Sequence, residues 1–378
     1  MSEVLAAGRL CAAAVCLFSA ALAAQPDVDF EVDPNWPKPL PDGWLNGQLP
    51  GVCVDSHDHI VVLDRRNITA DQVQRGSVPA DHILMFDLDG NLVASWGDPE
   101  RVPRSRLHGC SFGPDDSLWI TGNRDGIIQK YSHSGDLVMQ IGTRGVVDTP
   151  DGTAVMAEDG TIDTVALNSS QQGFFYPAQV AVDADTGDVY VADGYGNKRV
   201  AVFDRNGSFL RQWGRQATIE EVKAGTGGVF AYAVHCIVIS KAGLVYVCDR
   251  EGDRLQVFDK QGNHLRNIWV ATDTTPEPAD DCPHEQIVLC FVNSGTVWGL
   301  ALSPDPEQRY LYVADGRNEQ IHVFDHATGE RVGGFGRAGH QLGQFDYAHS
   351  MAIDSAGNVY VAETGDGNRV QRFLARKE

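Results

Sequence analysis

Three histidines occupy the same place in alternate copies of a repeated sequence. His108, His235 and His349 begin the apolar runs "HGCSFG", "HCIVIS" and "HSMAID". Three imidazoles that converge on one point leave a fourth position open on a tetrahedral metal, as in catalytic zinc sites. A lone histidine in such a run is more often a buried residue bonded to a neighbour. Three in one column, among twelve in the chain, favour zinc ligands.

Two arginines interrupt a second column of the repeat, at the residue after the acidic end of the second strand. Arg65 stands there in the first copy and Arg250 in the fourth, so the two would face each other across a ring of six. Arginine binds carboxylates bidentately, so the pair predicts a substrate that carries a carboxylate. The alternative is that each arginine forms a surface ion pair with a neighbouring repeat.

Tyr195 lies one residue beyond that column in the third copy, within "ADGYGNKRV". The turn is one residue longer than its counterparts, and an aromatic side chain there could simply pack beneath an insert. Positive charge from a metal and two arginines would instead stabilise a phenolate. A phenolate can accept a proton, so Tyr195 is a candidate general base.

The elements that must position these residues repeat six times. Each copy reads as four short strands separated by turn signals, as in "AQVAVDADTGDVYVADGYGNKRVAVFDRNGSFLRQWG", which is typical of one β-propeller blade. The sixth copy ends after its third strand. We therefore predict an all-β, six-bladed propeller, closed by the N-terminal strand Val28 to Asp33 and forming one domain over residues 25–378. Two polar inserts, 143–175 and 271–295, should be loops.

The N-terminal residues 1–24 read as a signal peptide. An arginine precedes the apolar run "LCAAAVCLFSAALAA", which ends in small residues and is too short for a confident membrane span. We therefore expect a secreted or periplasmic protein without a membrane span. Its formal net charge of −21 argues against nucleic acid as a partner.

The cysteines do not form the dense pattern of a disulfide-framework protein. Cys282 and Cys290 are close enough in sequence to close a loop by a disulfide. Four others lie within apolar strands and are expected to be buried thiols: Cys53, Cys110, Cys236 and Cys248.

The sequence resembles the peptidyl-α-hydroxyglycine α-amidating lyase family, whose fold is an NHL-type propeller. The resemblance is carried by the Tyr195 turn "DGYGNKR", by the histidine runs and by the first copy "GVCVDSHDHIVVLDR". The resemblance covers nearly the whole chain after the signal segment. It implies that His108, His235 and His349 bind zinc and that Tyr195 is the catalytic base. It also implies that Arg65 and Arg250 are active-site arginines. The reaction it implies splits an α-hydroxyglycine into an amide and glyoxylate.

Some positions depart from that family. The aspartate that follows the third histidine and helps to bind a structural calcium is Ser350 here, although backbone positions Val52 and Cys110 match. This substitution argues against calcium. The cysteine that follows the tyrosine is replaced by Gly196, so the family's disulfides are not expected.

Two other functions fit parts of the pattern. Hydrolase or lactonase propellers build their metal sites from carboxylates and amides, which the histidine column lacks. A non-catalytic NHL interaction module would explain the repeats but not the convergent histidines. The leading expectation is an exported zinc-dependent lyase for a small-molecule or peptide substrate with a carboxylate.

Overall fold

The computed structural model describes residues 30–98, 100–103, 106–147, 167–274 and 295–376. The predicted signal peptide, Cys282 and Cys290 lie outside the described residues, as do the central parts of both predicted inserts.

The chain enters through two short strands, β1 (Phe30–Val32) and β2 (Trp44–Leu45). The first blade is antiparallel and is interrupted by a helix and a two-residue strand that pairs with β2. Its elements are β3 (Gly51–Val54), β4 (Ile60–Leu63), α1 (Ala70–Gln74), β5 (Val78–Pro79), β6 (Ile83–Phe86) and β7 (Leu92–Trp96).

Blades two and three each contain four consecutive antiparallel strands. Blade two consists of β8 (Leu107–Phe112), β9 (Leu118–Gly122), β10 (Ile127–Tyr131) and β11 (Leu137–Ile141). Blade three consists of β12 (Pro177–Val182), β13 (Val189–Asp193), β14 (Arg199–Phe203) and β15 (Phe209–Trp213), followed by α2 (Ile219–Lys223).

Blades four and five repeat this order. Blade four consists of β16 (Val234–Ile239), β17 (Val245–Asp249), a 3₁₀ turn (Arg250–Gly252), β18 (Arg254–Phe258) and β19 (His264–Trp269), with a second 3₁₀ turn (Thr272–Thr274) after it. Blade five consists of β20 (Gly299–Leu302), β21 (Tyr310–Asp315), β22 (Gln320–Asp325) and β23 (Arg331–Phe335).

The sixth blade joins the two ends of the chain. Its strands β24 (Ala348–Ile353), β25 (Val359–Glu363) and β26 (Val370–Ala375) are completed by β1, which pairs antiparallel with β26. The first strands of successive blades contact one another, and those of blades six and one close the ring. The predicted six-bladed propeller and its closure by the N-terminal strand are confirmed.

The apolar core lies between neighbouring blades. One cluster joins β9 and β10 to β12, β13 and β14 through residues such as Trp119 and Val191, and another joins blades five and six around Phe345. Side chains alternate along a strand, so each blade buries one face against each neighbour. None of the described helices combines enough length with enough apolar character to cross a bilayer.

The four strand cysteines are paired, so the prediction of buried thiols is wrong. Cys53 and Cys110 form a disulfide between the first strands of blades one and two, with Cα atoms 6.0 Å apart. Cys236 and Cys248 form another between β16 and β17, with Cα atoms 4.9 Å apart. Pairing of β16 with β17 brings Cys236 close to Cys248, whereas packing of β3 against β8 brings Cys53 close to Cys110.

An acidic residue at the end of the second strand recurs in five of the six blades: Asp64, Asp193, Asp249, Asp315 and Glu363. Four of the five pair with a basic side chain in the third strand or next to it: Asp193 with Arg199, Asp249 with Arg254, Asp315 with His322 and Glu363 with Arg369. Asp64 instead accepts backbone N–H groups from Gly47 and Arg66. These contacts show that the five acidic residues belong to the scaffold of the blades.

Candidate metal centre and surrounding cavity

The three histidines lie at irregularities at the start of the first strands of blades two, four and six. In β8 the pairing with β9 shifts between Leu107 and Cys110. Shifts of the same kind bracket His235 in β16 and His349 in β24. A β-bulge redirects a side chain relative to regular alternation, and here it accompanies the convergence of the imidazoles on the channel axis.

Each imidazole is oriented by the next blade. The Nδ1 atoms lie 2.8 Å from the carbonyl oxygen of Ala178 for His108, 2.5 Å from that of Trp298 for His235 and 2.7 Å from that of Pro50 for His349. A carbonyl only accepts, so Nδ1 carries the proton and Nε2 keeps its lone pair. The blades without a histidine therefore supply the acceptor, which gives the alternation a physical reason.

The environment keeps the three rings neutral. Burial holds the pKa of His108, His235 and His349 well below the ordinary histidine value, and the charges of nearby arginines act in the same direction. Neighbouring histidines lower the pKa of His108 and His235 further. Neutral imidazole with a free Nε2 is the form that binds a metal.

The donor set fits a metal ion. One ligand nitrogen from each of the three buried histidines lies within 4.8 Å of the others, and the ring centroids are 4.7 to 5.0 Å apart. Hydrogen bonds to carbonyls on the distal ring nitrogen are the usual support of metal-bound histidine. These residues could therefore hold a divalent cation at the end of the channel.

Tyr195 covers two of these nitrogens. Its side chain is 8% exposed, and its hydroxyl oxygen lies 3.1 Å from Nε2 of His108 and 2.9 Å from Nε2 of His235. The flanking glycines permit this position: a Cβ at Gly194 would lie 2.2 Å from the backbone nitrogen of Val234, and one at Gly196 would lie 2.2 Å from the ring of Phe175.

The turn that carries Tyr195 is held from within by Lys198. This side chain is buried, and its Nζ donates to the carbonyl oxygens of Gly196 at 2.8 Å and Asn197 at 3.0 Å, with longer contacts to those of Gly194 and Tyr195. Burial lowers the pKa of Lys198 to about 7. Sequence reasoning missed this residue because it looks like an ordinary charged turn residue.

Arg250 contacts the tyrosine directly. Its Nη1 donates to the Tyr195 oxygen at 3.1 Å and its Nη2 to Glu251 at 3.1 Å. The guanidinium also lies over the rings of Trp298 at 4.7 Å and Tyr195 at 5.2 Å. Although burial opposes its charge, the pKa of Arg250 is raised, chiefly by Tyr195 and Glu251. The side chain is thus a fixed cation beside the tyrosine oxygen.

Arg65 reaches the same cavity from the first blade. Its Nε donates to the carbonyl of Leu107 at 3.0 Å, and its Nη1 donates to Oε1 of Gln48 at 2.8 Å. Burial, together with the charge of Arg106, lowers the pKa of Arg65 to about 10. The guanidinium therefore stays charged at neutral pH.

A cavity of about 740 Å³ opens over these groups. Arg65, Tyr195, Arg250 and His349 line it, whereas His108 and His235 lie behind Tyr195. The structure therefore brings all six residues singled out by the sequence to one end of the channel.

Sequence reasoning missed two further arginines that line this cavity, Arg124 and Arg106. Arg106 lies beside Tyr195. Its guanidinium lies 5.0 Å from the centre of the Tyr195 ring, and its backbone has a φ of +59°. Tyr176, Ala233 and Tyr347 also adopt positive φ immediately before a first strand. Arg106 lies two residues before His108, and that fixed spacing from a predicted metal ligand could have identified it from the sequence.

The residues expected around calcium do not fit that ion. Ser350 accepts a hydrogen bond from the backbone N–H of Val52 at 3.3 Å. The neighbouring cavity of about 330 Å³, which includes Val52 and Cys110, has no aspartate or glutamate among its described lining residues. Calcium prefers several carboxylate or carbonyl oxygens as ligands. The described residues here do not supply a carboxylate for such a site.

The strand order and the central cavity define the class: a six-bladed β-propeller. A model of the NHL repeat matches residues 174–203. Human NHL repeat-containing protein 3 is 27% identical over 354 residues, which cover 91% of this chain and 84% of that protein.

The relatives also include amidating enzymes at low identity. Peptidyl-alpha-hydroxyglycine alpha-amidating lyase 1 of Drosophila melanogaster is 23% identical over 87% of this chain and 57% of its own length. The peptidylglycine alpha-amidating monooxygenase of Rattus norvegicus is 26% identical over 92% of this chain, which spans 32% of that protein. The resemblance recognised in the sequence is thus confirmed as distant homology.

A solved structure shares the architecture. A streptogramin B lyase superposes with a TM-score of 0.55 over 92% of this chain and 98% of the lyase, at 12% identity. At that identity the likeness concerns the fold.

Proposed function

We propose that the protein is an exported zinc-dependent lyase that splits the C–N bond of an α-hydroxyglycine or a closely similar carbinolamide. The products are an amide and glyoxylate. The observation that carries this proposal is the contact of one tyrosine oxygen with Nε2 of His108, Nε2 of His235 and Nη1 of Arg250. The proton acceptor therefore lies beside the group of three histidine nitrogens. A cation that could bind a carboxylate lies next to it.

His108, His235 and His349 would hold the zinc, and their neutral, oriented rings suit it. Bound there, zinc would supply Lewis acidity toward a substrate oxygen and a template for its orientation.

Tyr195 would accept the proton of the substrate hydroxyl at its phenolic oxygen. The electron pair left on that hydroxyl oxygen forms the aldehyde C=O bond of glyoxylate, while the C–N bond breaks and its pair goes to nitrogen. Tyr195 would return that proton to the departing amide nitrogen, so the reaction is redox-neutral and needs no co-reactant. The N–H from Arg250 to the phenolic oxygen would stabilise negative charge there.

Arg65 and Arg250 would bind the carboxylate. Both line the cavity, and each has part of its guanidinium fixed by Leu107 and Gln48 or by Glu251. A pre-organised guanidinium loses little freedom on binding an anion. The aromatic faces of Trp298 and Tyr232 beside Arg250 would keep water from one side of the ion pair.

The relatives support this reading, because the Drosophila protein is named for the same α-hydroxyglycine cleavage. A small or peptidyl N-acyl group would project from the cavity, whose volume of about 740 Å³ is in the range of sites for small molecules. Export rests on the signal-like residues 1–24.

The proposal is tested with untagged, zinc-loaded protein and N-benzoyl-α-hydroxyglycine as the probe. We expect release of benzamide and glyoxylate above the rate without protein. His235→Ala should lose one equivalent of zinc and this release together, because the metal then lacks one of three ligands. His264→Ala, on the outer strand β19 of blade four, is the matched control and should retain both. A zinc content and a rate that His235→Ala leaves unchanged would overturn the proposal.

A further inference from the structure

A second group of histidines lies at the opposite end of the blades from the cavity. β3 starts beside Pro50 at the cavity end and leads to Asp55 in the turn before β4, roughly 16 Å away along an extended strand. Asp55, His59 and His133 offer ligand atoms that all lie within 4.8 Å of one another. His133 comes from the β10–β11 turn of the second blade.

The carboxylate of Asp55 is arranged with one oxygen for the scaffold and one for the histidines. Oδ1 accepts backbone N–H groups from His57 at 2.9 Å and His59 at 2.8 Å. Oδ2 lies 2.8 Å from Nδ1 of His59 and 2.8 Å from Nε2 of His133. A single oxygen is therefore shared by two imidazole nitrogens from different blades.

The Asp55 carboxylate is buried where blade one meets blade two. The Asp55 side chain is 0% exposed, and among the described residues its ion-pair partners are the two histidines. Buried carboxylates are generally paired with a cation or bound to a metal. A divalent cation could take Oδ2 of Asp55, Nδ1 of His59 and Nε2 of His133 as ligands, with each imidazole proton carried on the other ring nitrogen.

The surroundings allow an ion to enter and to complete its coordination. The side chains of His59 and His133 are 31% and 40% exposed, so water can fill the remaining positions. The ring of a third histidine, His57, has its centre 6.1 Å from that of His59 and 5.8 Å from that of His133. Two imidazoles and one carboxylate are ligands typical of zinc and neighbouring divalent transition metals.

We propose that Asp55, His59 and His133 form a second, structural metal site that binds a divalent transition-metal ion and ties blade one to blade two. The same junction already carries the Cys53–Cys110 disulfide and the 2.6 Å hydrogen bond from Ser56 Oγ to Asp116. A metal there would be a further link between the two blades, at the far end from the cavity. The proposal does not depend on the lyase reaction.

The test measures zinc binding to chelator-stripped, untagged protein by elemental analysis after equilibrium dialysis. We expect two equivalents per chain. His133→Ala should weaken binding of one equivalent by at least about 10-fold through loss of a ligand, while His235→Ala should remove the other. His264→Ala, a histidine variant remote from both groups, should keep two.

Thermal unfolding gives a second readout that does not involve catalysis. Ligand binding to the folded state raises the unfolding midpoint, so zinc should stabilise the His235→Ala protein by on the order of a few degrees. The His235→Ala/His133→Ala double variant should lose this response.

The outcomes separate the two metal proposals. One equivalent that His133→Ala weakens and His235→Ala leaves in place would support the second site and refute the central one. One equivalent lost only in His235→Ala, or a zinc-induced shift that persists in the double variant, would overturn the second site.

Discussion

The hydroxyl oxygen of Tyr195 lies 2.9 Å from Nε2 of His235. It lies at 3.1 Å from Nε2 of His108 as well, so one phenol bridges histidines of blades two and four. A molecule that reaches those nitrogens from the cavity must pass this oxygen. The tyrosine is thereby placed to exchange a proton with any group that approaches them.

Tyr195→Phe should lower kcat for glyoxylate release by about 10²- to 10⁴-fold, the usual contribution of a general base. Zinc content and the thermal midpoint should stay near the wild-type values, because the ring and its packing remain. Tyr232→Phe is the matched control, since its ring lies 6.1 Å from that of Tyr195 without the contacts to histidine. Equal rates for the two variants would remove Tyr195 from the reaction.

Arg250→Lys should raise KM for a carboxylate substrate by about 10- to 100-fold, because an ammonium cannot reproduce a bidentate pair. For a substrate whose carboxylate is replaced by a carboxamide, the KM of Arg250→Lys should differ much less from that of the wild type. Steady-state kinetics with both substrates measure this difference. An equal loss on both would show that Arg250 acts through Tyr195 alone.

Lys198 predicts a pH dependence of stability. Its pKa is about 7 in the folded protein because of burial, against an ordinary 10.5. Between these values the unfolded chain binds a proton that the folded protein releases, so the contribution of Lys198 to the free energy of unfolding rises with pH. The difference between wild type and Lys198→Met should therefore shift in favour of wild type by about 2 kcal/mol from pH 7 to pH 9. Urea unfolding of both proteins at pH 7 and pH 9 measures this shift. A difference in the free energy of unfolding that is the same at both pH values would contradict it.

The two disulfides should contribute unequally to stability. The Cys53–Cys110 and Cys236–Cys248 pairs are separated by 57 and 12 residues, for which loop-closure entropy gives about 4 and about 3 kcal/mol. Replacing both cysteines of a pair with alanine, followed by urea unfolding without reductant, measures each contribution. With reductant present the two losses should largely disappear. Peptide mapping that finds free thiols at these positions would refute the pairing.

The sequence was most informative where the repeat fails. His108, His235 and His349 stood out because only alternate copies carry histidine, and Tyr195 because its turn is longer. The six blades and their closure by β1 followed from strand periodicity and from a sixth copy that lacks its last strand. Columns in a propeller share a radius and a height, so such departures translate directly into positions around one axis.

Other features depended on contacts that a repeat alignment does not contain. Cys236 faces Cys248 because of the irregular pairing of β16 with β17. Arg106 enters the cavity through a positive φ, which side-chain type does not reveal. The carbonyl that orients each imidazole belongs to the neighbouring blade, so its role appears only when the ring is assembled.

The most direct measurement is the product ratio from N-benzoyl-α-hydroxyglycine with zinc-loaded protein. We expect benzamide and glyoxylate in equal amounts, formed faster than without protein, and loss of that acceleration in both Tyr195→Phe and His235→Ala. Protein that holds zinc at the three histidines yet yields no glyoxylate above the background rate would contradict the proposed reaction.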